Sequence, residues 1–205
     1  LVSQCRSTAK DPEAPKPRDW TGTIRQASAK GVFVIVPECK RFEPGHGSGS
    51  LRKHFDIAKL VEEFTAAGAP ALSVNCDPIM FGGSIENIKT ARKAASQAAL
   101  NMLQTEEGVV VPPILASDLI LYPYQLYKLR LAGADAVNLM GGALASKDLV
   151  YLAKIARSLQ FQVLVTVTSK VQISNLLAVP VGDLSGVIVS NRDLEDFSVD
   201  ETGEQ

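Results

Sequence analysis

The chain has 205 residues, with 21 Lys and Arg against 22 Asp and Glu, a formal net charge of -1. Without a basic excess, the charge balance gives no footing for nucleic-acid binding. No apolar run approaches the roughly 18 residues needed to span a bilayer, and 46% hydrophobic residues suffice for one sizeable core, so a single soluble domain without membrane insertion is expected.

Residues 1–19 read as a tail and linker. The first ten hold Arg6, Ser7, Thr8 and Lys10 but no acid, a composition shared by organelle transit remnants and by ordinary disordered tails. Pro12, Pro15 and Pro17, set among charges, give Asp11–Arg18 a linker character. Residues 20–205 form the predicted domain. Trp20–Ala29 reads as a short helix and Val32–Cys39 as a buried strand.

The alternation then continues. Ile57–Ala67 places Ile57, Leu60, Val61 and Phe64 on one helical face and ends at Gly68. Ala71–Cys76 is a strand. Ser84 is expected to N-cap a long helix reaching about Gln104. Val109–Ala116 is a strand broken by Pro112 and Pro113. Pro123–Ala132 is a helix with Pro at its start and Gly133 at its end. Ala136–Met140 is a strand, Ser146–Gln160 a helix capped by Ser146, and Gln162–Thr168 a strand. Val171–Leu177 is a short helix and Gly186–Ser190 the sixth strand. Alternating elements with near-continuous apolar strands predict parallel pairing, right-handed crossovers and a sheet buried on both faces. Phe64–Leu72 is echoed by Leu129–Val137, each a helix end, a Gly-Ala turn and a strand. This spacing of two units suits a barrel, though a doubly wound sheet also produces it.

Cys5, Cys39 and Cys76 are odd in number and match no zinc spacing, so free thiols in a reducing compartment are expected. His46 and His54 have no ligand cluster around them, and neither metal nor cofactor is expected. Gly45-His46-Gly47-Ser48-Gly49-Ser50 does not open directly into a helix as a phosphate cradle requires, and it reads as a βα loop.

Several segments, in order, resemble indole-3-glycerol-phosphate synthases. They are Val36-Pro37-Glu38-Cys39-Lys40-Arg41, Ala66–Val74, Phe81-Gly82-Gly83-Ser84-Ile85-Glu86, Tyr122-Pro123-Tyr124-Gln125, Ala132–Val137 and Asn191-Arg192-Asp193-Leu194. The resemblance implies a (β/α)8 TIM barrel, of which about six βα units are present. It also implies a site at the C-terminal strand ends, a small phosphorylated ligand and no cofactor. That family closes an indole ring with loss of CO2 and water, using a lysine as general acid and a carboxylate as general base.

By the resemblance, Glu38 and Lys40 occupy catalytic positions on the first strand, and Arg41, Ser190, Asn191 and Arg192 substrate-binding ones. The acid position on the third strand, however, holds Ser117, and the base position on the fifth holds Thr166. Glu43 stands in a loop where the family has serine, poorly suited to an anionic substrate. A general acid or base contributes about 10²–10⁴-fold each, so the expectation is a barrel that has lost catalysis and serves as a scaffold or interaction subunit with protein partners. An active synthase and a binder of another small ligand, using Ser117, Asn138, Thr166 and Ser190, are the alternatives. The resemblance and the first ten residues together point to a plastid, with the cytoplasm as the alternative. The last residues fall where a sixth helix should begin. Six strands cannot close an eight-stranded barrel, so further chain is the expected completion, ahead of a partner or a second copy.

Overall fold

The computed structural model describes all residues except 1, 13, 32, 44–50, 52–53, 105–108, 193–197 and 200–205. Its core is a six-stranded parallel sheet in sequential order. The strands are β1 (Glu38–Cys39), β2 (Leu72–Asn75), β3 (Ile114–Ser117), β4 (Ala136–Met140), β5 (Gln162–Val167) and β6 (Gly186–Val189). The helices are α1 (Val2–Ala9), α2 (Trp20–Ser28), α3 (Ile57–Ala66), α4 (Ile85–Met102), α5 (Pro123–Ala132), α6 (Ser146–Ser158) and α7 (Lys170–Leu176). All pairings are parallel, each strand beside its sequence neighbour, as expected for a (β/α)8-type barrel.

The period of two along each strand divides the core. Leu72, Val74, Ile114, Ala116, Val137, Leu139, Val163, Val165 and Val167 pack outward with the helices. Ala71, Leu115, Ala136 and Leu164 turn inward and pack with Trp20, joined by Val36 and Ile188. The indole thus plugs the barrel floor, and its Nε1 donates to the Leu72 carbonyl at 3.2 Å. On β6 the outward Val187 and Val189 remain exposed, because no described helix lies over them.

Several elements are shorter than the sequence predicts. The ladder of β1 contains only Glu38 and Cys39. As an edge strand it pairs on one side alone, and Phe33 and Ile35 before it are exposed. Pro112 and Pro113 have no N–H to give a ladder, so β3 begins at Ile114. Ser84 takes the predicted N-cap position of α4 but makes no side-chain capping bond, and the cap predicted at Ser146 does not form. The Ser84 hydroxyl turns to the Asn87 side chain, and α6 starts at Ser146 with Ala145 in the cap position. The Gly-rich loop 45–50 lies outside the described residues.

The described residues of the stretch expected as tail and linker pack onto the domain. Helix α1 packs against α5, with Ala9 buried. The linker is fastened to Asp135, whose carboxylate is fully buried beneath β4. Arg18 donates to it from its backbone N, Nε and Nη2 at 2.7, 3.0 and 2.8 Å. Arg92 of α4 adds Nη1 at 2.8 Å and the Ile114 amide a bond of 2.7 Å. Arg92 also reaches the Gly133 carbonyl at 2.6 Å. Gly133 is required twice over, for its φ of +91° and because a Cβ there would lie 2.5 Å from Arg92 Cδ.

Removing one partner of a buried ion pair typically costs about 3–5 kcal/mol, because the charges left behind are unpaired. Asp135→Ala is expected to lose stability of that order in urea unfolding, and Asp135→Asn less, since an amide still accepts from Ile114. Wild-type stability in Asp135→Ala would show that the hub is dispensable.

Candidate functional site

The strand ends at the barrel mouth carry the chemistry-bearing side chains. Glu38 and Lys40 lie two residues apart and face the interior together. Lys40 Nζ is 3.2 Å from Glu38 Oε2 and also pairs with Glu43, a residue beyond β1. The second Glu43 oxygen is 3.2 Å from Arg192 Nη2, on the segment following β6. Four charges thus run in sequence, Glu38, Lys40, Glu43 and Arg192. The chain joins the ends of the two edge strands. Glu43 is its most enclosed acid, with a side chain 12% exposed against 35% for Glu38.

The lysine responds to this setting. Burial alone would lower the Lys40 pKa, but hydrogen bonding and charge from Glu43 and Glu38 outweigh it, so the pKa lies above the ordinary lysine value. Lys40 therefore holds its proton firmly at neutral pH. Its ammonium also sits 5.8 Å from the centroid of the Phe81 ring, which closes one side.

The remaining strand-end groups on the inner face are neutral. Ser117 ends β3, Asn138 lies on β4 and Thr166 on β5, all buried. Thr166 donates through its hydroxyl to Asn138 Oδ1 at 3.0 Å, an uncharged pair satisfied internally. After β6, the Ser190 hydroxyl accepts from the Arg192 amide at 3.2 Å, which fixes the turn carrying that arginine. Asn191 is exposed. Arg41 points away from Lys40 and lies over the Phe42 ring, 5.3 Å from its centroid. Of the residues singled out in the sequence, Glu38, Lys40 and Arg192 share the charge chain. Ser117, Thr166 and Ser190 lie on strand ends around it, and Arg41 is turned outward. Asp193 lies outside the described residues.

Just past the strand ends, Asp77 and Asp118 follow β2 and β3. Asp77 braces the β2–α4 turn, accepting from the Ile79 and Met80 amides at 3.0 and 2.5 Å. Burial, reinforced by Asp77, pushes the Asp118 carboxyl above its usual value. Burial likewise pushes the Cys76 thiol well up, making it a poor nucleophile. Cys39 and Cys76 are free and buried. Among the described residues no group of three or more His, Cys, Asp or Glu is arranged to hold a metal. No described helix is long and apolar enough to cross a membrane. A cavity of about 410 Å3 lies at the opposite end of the barrel, under the N-terminal linker, and touches none of the mouth residues.

Sequence comparison fixes the family. The profile described as indole-3-glycerol phosphate synthase matches residues 3–205. The chain belongs to the indole-3-glycerol phosphate synthase family. A relative of that name from Rippkaea orientalis is 33% identical over 186 residues, covering 91% of this chain and 56% of its own. Another from Acaryochloris marina is 35% identical over 167 residues, covering 82% and 49%. The chain therefore spans about half the length of these curated relatives. Among solved structures, the carboxyl transferase domain of Rhizobium etli pyruvate carboxylase, with pyruvate and biocytin, superposes with a TM-score of 0.52. The match covers 92% of this chain and 31% of that one at 15% identity, and it speaks for the fold alone.

The indole-3-glycerol phosphate synthase fold carries Asp118 with a raised pKa, which gives a pH test. The native state then holds its proton more tightly than the unfolded chain, so its contribution makes stability fall as pH rises through the carboxylate range toward the folded pKa. Asp118→Asn is expected to raise the thermal midpoint at pH 7 and to lose that advantage once pH drops below the ordinary aspartate value. An advantage that persists unchanged at low pH would show that the burial of charge is not its source.

Proposed function

We propose that this chain is a catalytically silent member of its family, retained as a scaffold or interaction subunit of a larger assembly. The observation that carries the reading is the chemistry of the third and fifth strand ends. Where the family resemblance requires a proton donor and a base, Ser117 and Thr166 are neutral hydroxyls, and Thr166 is already engaged with Asn138. Neither hydroxyl titrates near pH 7, so neither supplies the proton transfers of ring closure. Lys40 is a poor substitute donor, because the hydrogen bonds and charges of its two carboxylate partners raise its pKa and weaken it as an acid.

The assembly role follows from keeping a buried, well-packed barrel after its acid and base are gone. We further propose a plastid as the site of action. The relatives named above are cyanobacterial, from the lineage that gave rise to plastids. The first ten residues support it less than their composition suggests, because Ala9 is buried and α1 packs against α5 as part of the folded body.

Two measurements on the full-length protein test the reading. Turnover of the anthranilate-derived ribulose phosphate substrate is expected to be undetectable, and purification from the source organelle is expected to yield the protein with stable partners. A measurable rate, abolished by Glu38→Gln or Lys40→Met, would establish the active synthase instead. A lone monomer that turns over would sink the scaffold reading altogether.

A further inference from the structure

We infer that Glu43 sets the ligand class of the barrel mouth: its carboxylate fills the anion position between Lys40 and Arg192, so the mouth excludes phosphate esters and carboxylates. The inference rests on the same reading of the mouth as a ligand entrance, and it can fail while the loss of turnover stands.

The geometry is that of a bound anion supplied from within. Each Glu43 oxygen takes a different cation, Lys40 on one and Arg192 on the other. Carboxylate and phosphate oxygens seek the same donors, and a charge-assisted pair to lysine or arginine is the strongest contact such a ligand makes. The two cations come from opposite edges of the sheet, after β1 and after β6, and converge on one group. The Glu43 side chain is 12% exposed, so the carboxylate sits in the mouth rather than on its surface. Lys40 meets a second carboxylate in Glu38, so an anion approaching that ammonium would face two negative charges. What remains for a ligand are neutral groups, those of Ser117 and Asn138 beside the internally paired Thr166, so the mouth favours an uncharged ligand over an anion.

A clasp joining the two edges would give the same ion pairs, and the test separates the two roles. Glu43→Ser and the near-isosteric Glu43→Gln are titrated with inorganic phosphate, beside wild type, at constant ionic strength by calorimetry and thermal shift. Circular dichroism confirms the fold, and Glu43→Gln serves if Glu43→Ser does not fold. The wild type is expected to show no saturable binding. Either variant is expected to bind phosphate at least about tenfold more tightly than wild type and to gain thermal stability from it. Adding Arg192→Gln should remove the gain, while Glu43→Asp should behave as wild type. Phosphate binding by wild type equal to that of the folded variants would overturn the inference. So would destabilised variants that phosphate does not rescue, the signature of a clasp alone. Synthase turnover by the wild type would refute both readings, because that substrate is itself a phosphate ester, whereas absent turnover with no phosphate gain in folded Glu43→Gln would overturn this inference alone.

Discussion

The Asp135 carboxylate holds together four parts of the chain that are distant in sequence. It lies in the floor of the barrel without access to water, where an isolated charge would be prohibitively costly. Its cost is offset by donors from the linker, α4 and the start of β3, arriving at five points on its two oxygens. That arrangement locks Arg18, and Arg18 stands two residues before the indole that fills the floor. Asp19 then caps α2 by accepting from Gly22, and Gln162 at the start of β5 receives the Thr21 amide at 2.7 Å. The floor plug, the linker and three strands are therefore coupled through one ionised group. The apolar plug alone would be free to slide; the directional bonds fix where it enters.

The mouth is organised by the same physics at the other end of the strands. The described sheet has two edges, β1 and β6, with no ladder between them. Glu43 and Arg192 bring these edges into contact by charge rather than by backbone pairing. Apolar packing at the floor and an ion pair at the mouth thus tie the described strands at both ends. The consequence for function is that the cations of the mouth are already engaged. A residue recruited to bridge the edges has also neutralised the positive field that would draw in an anionic ligand.

Much of the fold is legible in the sequence because it depends on local signals. The helices from Ile57 to Ala132 begin and end close to the positions that their apolar spacing and Gly or Pro boundaries indicate. Gly68 and Gly133, matched by the internal echo, both adopt positive φ. Ser84 holds the cap position expected of it while Ser146 does not, and neither makes a capping bond, for a local reason. Ser84 had a nearer partner in Asn87, and α6 needed no side-chain cap to start. The weak ladder of β1 depends on what lies beside it, which no window of sequence contains. The packing of the described stretch before Trp20 was hidden for the same reason. Its prolines and charges look like linker, and the partners that fix them, Asp135 and α5, are more than a hundred residues away.

The site shows the sharper version of that limit. That Ser117 and Thr166 carry neutral hydroxyls is visible in the sequence alone, since a residue type either titrates near neutral pH or does not. The part played by Glu43 is not visible in that way. In sequence it is an acid in a loop, to be judged only by what it would repel. In the folded chain it is what the mouth holds, because Arg192, far along the chain, arrives at its second oxygen. Asp135 is a parallel case: the echoed segment has Pro70 at the corresponding place, so the carboxylate is peculiar to one of the two units. In both cases the informative signal was a charge where the repeat or the family has none, and its meaning depended on finding the cations that answer it. A residue that departs from a shared pattern toward charge is therefore best read by asking which opposite charges the fold can deliver to it, before it is counted as drift.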